Sequence, residues 1–202
     1  MKKEKIIYMV KLGLLVALML VMSVTPIGYL NISVVAITFL CVPIAVGAAL
    51  LGPSAGAVLG LVFGITSLVQ APSNALFGAV FAAQPMLVAA VCIVPRVVIG
   101  PLTAWFTKLA LKVDKKRVFA YGAAGLLCSL LNTILFLSGV IFILGKWLQG
   151  HEILGGKTVT AFFAGAGLLN GLPEAAACMI LTAAICVAVT AAEGGRGKKA
   201  PG

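Results

Sequence analysis

Apolar residues run along this chain in long blocks, and polar residues gather in short stretches between them. A helix needs roughly 20 apolar residues to cross a bilayer, and the pattern predicts six such helices. The first covers 6–25 and ends at Pro26. The second covers 33–51, and a tight turn at Gly52-Pro53-Ser54 leads to the third, 55–68. The fourth covers 86–107, the fifth 118–144 and the sixth 158–190. Gly171 and Pro173 fall inside the sixth and predict a bend there. One stretch, 70–85 (QAPSNALFGAVFAAQP), breaks the pattern: it is apolar yet carries two prolines, Ser73, Asn74, Gly78 and Gln84. It reads either as a loop dipping back into the membrane over a cavity or as an ordinary outer loop. Irregular backbone survives at membrane depth only against protein or water. The chain starts like a signal peptide, but its apolar run reaches Thr25 without a persuasive small-residue cleavage site, so the run reads as the first membrane helix.

Composition narrows the class. Of 202 residues, 62% are hydrophobic and only 10% charged, a balance no soluble domain has. The expected fold is an all-α membrane protein of six transmembrane helices. It forms one domain over 1–192, followed by a disordered basic tail over 193–202. The spans use up the length, which leaves no room for a soluble catalytic domain. The net charge of +10 is distributed for a membrane rather than for nucleic acid. Lys2, Lys3, Lys5 and Lys11 open the chain. Lys108, Lys112, Lys115, Lys116 and Arg117 surround the loop after the fourth helix, and Arg196, Lys198 and Lys199 close the chain. With six spans all three clusters fall on one side, which the positive-inside rule makes the cytoplasm. Both termini are therefore expected in the cytoplasm.

Small residues recur at helical spacing. Gly56, Gly60 and Gly64 give the third helix one smooth face, a strong sign of close helix packing. Gly13 and Ala17 do the same, more briefly, on the first helix, where the plain reading is packing within the bundle. The five cysteines (Cys41, Cys92, Cys128, Cys178, Cys186) lie inside apolar spans without a Cys-x-x-Cys pair and read as small hydrophobic residues.

Arg96 is the residue the rest of the chain has to accommodate. At about 1.5 Å per residue from Met86 it sits about 15 Å deep, near the middle of the hydrocarbon. A cation there costs about 2.5–3.5 kcal/mol on insertion scales. It is retained for an internal ion pair, for which Glu174 is the intramembrane acid, or to receive an anion. The two agree if Glu174 holds Arg96 when no ligand is bound. Ser129, Asn132 and Thr133 share one face of the fifth helix at i, i+3, i+4, and Asn170 and Glu174 share a face of the sixth. Asn132 and Asn170 fall near the same depth as Arg96. Arginine offers a planar fork to a carboxylate or phosphate, and asparagine both donates and accepts. The layer reads as a pocket for a small anionic solute with several polar groups, or as a set of interhelical hydrogen bonds worth about 0.6–2 kcal/mol each. Asn74 and Gln84 extend the candidate solute-binding set from the irregular stretch.

Two other motifs carry less. HEILGGKT (151–158) resembles a phosphate-binding loop, but the position that requires glycine holds His151, and no strand precedes it. His151-Glu152 is a poor metal pair, and no cofactor is expected. No nucleophile–base arrangement occurs, so the chain does not read as an enzyme. Without a nucleotide site it facilitates passage, uses an ion gradient, or depends on an energising partner.

The stretches PIGYLNIS, LLGPSAGAVLGLVFGITSL and VPRVVIG, with six spans and small-xxx-small on the first helix, resemble the substrate-binding (S) subunits of energy-coupling factor transporters, most closely their pantothenate-specific branch. The resemblance covers nearly the whole chain. It implies high-affinity capture of a small anionic vitamin outside a bacterial plasma membrane. Docking follows, on a transmembrane T subunit that carries two ATPase subunits, and the S subunit reorients to release the vitamin inside. It implies Arg96 and Asn132 as vitamin ligands, Gly13 and Ala17 as the docking face, and 26–33 with 70–85 as the outer gate. The family pattern has alanine at both docking positions, so Gly13 is a departure that still allows close approach. Pantothenate fits the pocket read from the residues: a carboxylate for Arg96, and an amide and two hydroxyls for the asparagines. Other anionic vitamins or a phosphorylated precursor offer the same groups. Large flat ligands want stacking partners, and Trp105 lies too far inward and Trp147 at the outer edge, which disfavours them, although Phe77, Phe81, Phe136 and Phe162 supply some. The competing reading is a stand-alone transporter with Glu174 as its proton site.

Overall fold

The structure, a computed structural model, describes residues 3–25, 28–30, 37–114, 117–149 and 158–197. Helix α1 (Lys3–Val24) leads to a hairpin of two-residue strands, β1 (Tyr29–Leu30) and β2 (Ile37–Thr38). The strands run antiparallel, with Tyr29 opposite Thr38 and Leu30 opposite Ile37. Then come α2 (Cys41–Leu51), α3 (Pro53–Gln70), a 3-10 turn at Ala71–Ser73, α4 (Ala75–Ala83) and α5 (Pro85–Val113). Helix α6 (Val118–Gly139) passes through a π turn at Val140–Leu144 into α7 (Gly145–Gln149), and α8 covers Val159–Gly197. Among the described residues five stretches are long and apolar enough to cross a membrane: Glu4–Val24, Pro53–Ser73, Pro85–Val113, Val118–Leu148 and Gly171–Glu193. Helix α2 is shorter and apolar.

Two closely packed helix pairs build the body. Helix α3 lies on α5 through its glycines: a Cβ on Gly56 would strike Gly100, one on Gly60 the Arg96 carbonyl, and one on Gly64 the Ile93 backbone. Helix α6 approaches α8 at Gly125, which faces the Cys178 carbonyl and Thr182. The absence of side chains lets the backbones close, as the stripe in α3 predicts. Helix α2 is buried from Cys41 to Ala48 and touches α3, α5, α6 and α8, so it plugs the space between the pairs. Gly52, with φ of +96°, ends α2, and Pro53 starts α3 at its first turn, the glycine-then-proline order that reverses a chain sharply.

The sequence pattern is corrected in four places. The second helix begins at Cys41, not near residue 33, because Ile37-Thr38, β-branched at both positions, pairs as a strand with Tyr29-Leu30. The stretch 70–85 is not irregular. It is helical apart from Asn74 and Gln84, and its Ala71, Phe77 and Val80 are buried with Val88, Val91, Val140, Leu144 and Leu148. The fifth helix continues past Leu144 to Gln149 through the π turn. The sixth is continuous through Pro173 and reaches Gly197 rather than ending near residue 190. An ion pair between Glu193 and Lys11 of α1 ties its end down. The nucleotide-like stretch 151–157 and most of the expected gate segment 26–33 lie outside the described residues.

Candidate solute-binding site

Arg96 is 4% exposed, in the middle of α5, directly after Pro95. Proline has no N–H, so Pro95 cannot make the helical bond to the carbonyl four residues back. That carbonyl belongs to Val91, and the Arg96 Nη1 donates to it at 2.9 Å. The guanidinium also lies 4.1 Å from the Phe136 ring centroid and 5.3 Å from that of Phe63. Such contacts are worth on the order of 1–2 kcal/mol each when desolvated. The glycine stripe makes this possible: with α3 flush on the Arg96 backbone at Gly60, Phe63 arrives beside the side chain less than one turn later. Phe136 is in turn packed by Phe77, with centroids 5.6 Å apart. Asn74 Oδ1 accepts from the Phe77 N–H at 3.2 Å, which caps the start of α4.

A second polar cluster lies at the N-terminal end of α2. Glu174 of α8 is 4% exposed. Its Oε2 accepts from the Thr38 N–H at 3.2 Å. Its Oε1 accepts from the Ser129 hydroxyl at 3.3 Å and the Cys41 thiol at 3.5 Å. Four elements therefore meet on one carboxylate: β2, α2, α6 and α8. Its place at a helix N-terminus adds a favourable dipole. Asn132 is 6% exposed, and its Oδ1 has no hydrogen-bond partner among the described residues.

The candidate residues thus separate. Ser129, Asn132 and Glu174 are brought together. Arg96 meets α6 at Phe136, four residues and about 6 Å of helical rise from Asn132. Thr133 is half-buried and faces Gly171 of α8. Asn74 acts as a helix cap beside the Phe77–Phe136 pair, and Gln84 is exposed between α4 and α5. Asn170 is on α8, one turn before Glu174, and its side chain lies outside the described residues. Gly13 and Ala17 are exposed on the outer face of α1, and a Cβ on Gly13 would meet nothing within 4 Å. They do not pack within the bundle. Sequence reasoning missed Thr38, Cys41 and Phe63. Phe63 alone had a signal, since it stands between Gly60 and Gly64.

The model of the substrate-specific component of ECF transporters matches residues 8–186. The chain belongs to that family. A curated relative of this S component is the pantothenic acid transporter PanT of Lactococcus lactis subsp. cremoris (strain MG1363). It is 29% identical over 210 residues, which cover 95% of this chain and 98% of the relative. Membership makes the S component a subunit of a membrane transporter rather than an enzyme. The apolar helices make it a multi-pass membrane protein.

Proposed function

We propose that the chain captures pantothenate from outside the cell and delivers it inward by docking on a transmembrane T subunit with two ATPase subunits. The carrying observation is Arg96, buried at the centre of an apolar helix with its guanidinium between two aromatic rings. A planar guanidinium is the side chain best shaped to bind a carboxylate or phosphate. Asn132 supplies a second polar point one turn away from Phe136, and Thr133, Ser129, Asn170 and Glu174 complete the inner set. Asn74 and Gln84 belong to the outer rim. The family and the relative's pantothenic acid transport support a vitamin as the solute. In this reading the five long apolar helices and α2 make six spans in one membrane domain over 1–192. Both termini then lie in the cytoplasm of a bacterial cell. The exposed face of α1 with Gly13 and Ala17 is the docking surface.

The test is calorimetric titration of the purified, detergent-solubilised chain with pantothenate, beside Arg96→Ala. Tight binding by wild type that falls at least about a hundredfold in the variant is expected, since removing a charged partner from a buried site costs about 3–5 kcal/mol. Tight binding that survives Arg96→Ala moves the carboxylate site elsewhere. Silence toward pantothenate with binding of another vitamin reassigns the solute. Uptake by the chain alone in proteoliposomes without ATP would replace the docking mechanism with solo transport.

A further inference from the structure

Resting on that reading of the site, we infer that Phe77 of α4 is a positioning residue: through the Phe136 ring it fixes the plane of the Arg96 guanidinium that receives the solute's carboxylate. An arginine side chain has many rotamers, and a two-point grip on a carboxylate needs the guanidinium in one orientation. The Nη1 bond to the Val91 carbonyl fixes a point rather than a plane. A ring face against the guanidinium fixes the plane. Of the two rings Phe136 is the nearer, at 4.1 Å against 5.3 Å for Phe63. It is also the less secure. Phe63 is buried in α3, which the glycines seat on α5, whereas Phe136 is half-buried on α6. Its aromatic partner is Phe77, with centroids 5.6 Å apart and the planes tilted by 41°, an attractive arrangement for two rings. Phe77 is itself buried with Val80, Val88 and Val91, and its N–H donates to Asn74 Oδ1 where α4 begins. The series Phe77–Phe136–Arg96 thus crosses from α4 through α6 to α5, and the seating of α4 is written into the orientation of the arginine.

The alcohol analogue of pantothenate, with CH2OH in place of the carboxylate, separates this role from packing. Calorimetry on the full chain in detergent gives the preference for acid over alcohol. Wild type is expected to prefer the acid. Phe77→Leu should lower that preference by about fivefold or more, while affinity for the alcohol stays within about twofold of wild type. A purely structural role would weaken both ligands alike, so an unchanged preference in folded Phe77→Leu overturns the inference. Phe77→Ile carries the same expectation should the leucine variant not fold. A double-mutant cycle on pantothenate supplies the second readout. Phe77→Leu should cost little further in a Phe136→Leu background, because Phe77 acts through that ring; additive losses overturn the inference. Where alcohol binding is too weak to titrate, the cycle decides alone. No pantothenate binding by wild type, or an acid preference that survives Arg96→Ala, instead marks the solute or the arginine assignment as the failure, and the inference falls with it. A preference lost in Arg96→Ala but kept in Phe77→Leu strikes the inference alone.

Discussion

Returning an N–H to position 95 sets two effects against each other. Pro95→Ala removes a residue that costs about 3 kcal/mol in a helix interior, so the variant should melt higher in detergent. The new N–H also competes for the Val91 carbonyl, which now holds the Arg96 Nη1. Pantothenate affinity should therefore fall several-fold while stability rises, measured by titration and thermal unfolding on one sample. Affinity that rises or holds with stability would show that Val91 does not position the arginine. At this scale much was legible. Arg96, Asn132, Ser129 and Glu174 stand out because each is a polar side chain in an apolar helix. Thr38 and Cys41 did not, because their bonds to Glu174 cross more than a hundred residues of chain and depend on a hairpin that puts a backbone amide, not a side chain, at the site.

Among elements, the glycine pattern has two meanings that spacing cannot tell apart. Gly56, Gly60 and Gly64 are closed on by α5, whereas Gly13 faces open space. Gly60→Ala should destabilise the fold by about 1–3 kcal/mol, since its methyl would overlap the Arg96 carbonyl. Gly13→Ala should be neutral or stabilise by about 0.5–1 kcal/mol, the gain in helix propensity. Thermal unfolding of the two variants side by side decides this, and equal effects would contradict the packing. The spans themselves were legible because hydropathy over about 20 residues is a strong signal. The ends were not. A β-branched run before Cys41 reads equally as the start of a helix, and the 3-10 turn and cap at Asn74 that make 70–85 helical are local bonds within an apolar stretch. The π turn at Val140–Leu144 has no mark in the sequence.

For the molecule as a whole, the inward side of α1 is Leu12, Leu15, Val16 and Met19, packed on the core, while Val10, Leu14 and Val21 face out beside Gly13 and Ala17. A bulky residue there does not touch the solute site. Ala17→Trp should leave pantothenate binding in detergent within about twofold of wild type yet abolish uptake by cells that supply the coupling module, because close helix approach needs a small side chain. Uptake that persists would remove α1 from the docking surface.

Although its outer face is bare, α1 is not loose. Tyr8 meets Ser54 at 3.1 Å near one end, and Gln70 reaches the Ser23 carbonyl at 2.8 Å near the other. Both partners bracket α3, which the glycines seat on the Arg96 backbone. A handle bolted at two points turns with the object it is fixed to. Any torque a partner applies to α1 is handed through α3 to the floor beneath the arginine without slack, so a spin label on the outer face of α1 would read the tilt of the solute chamber itself.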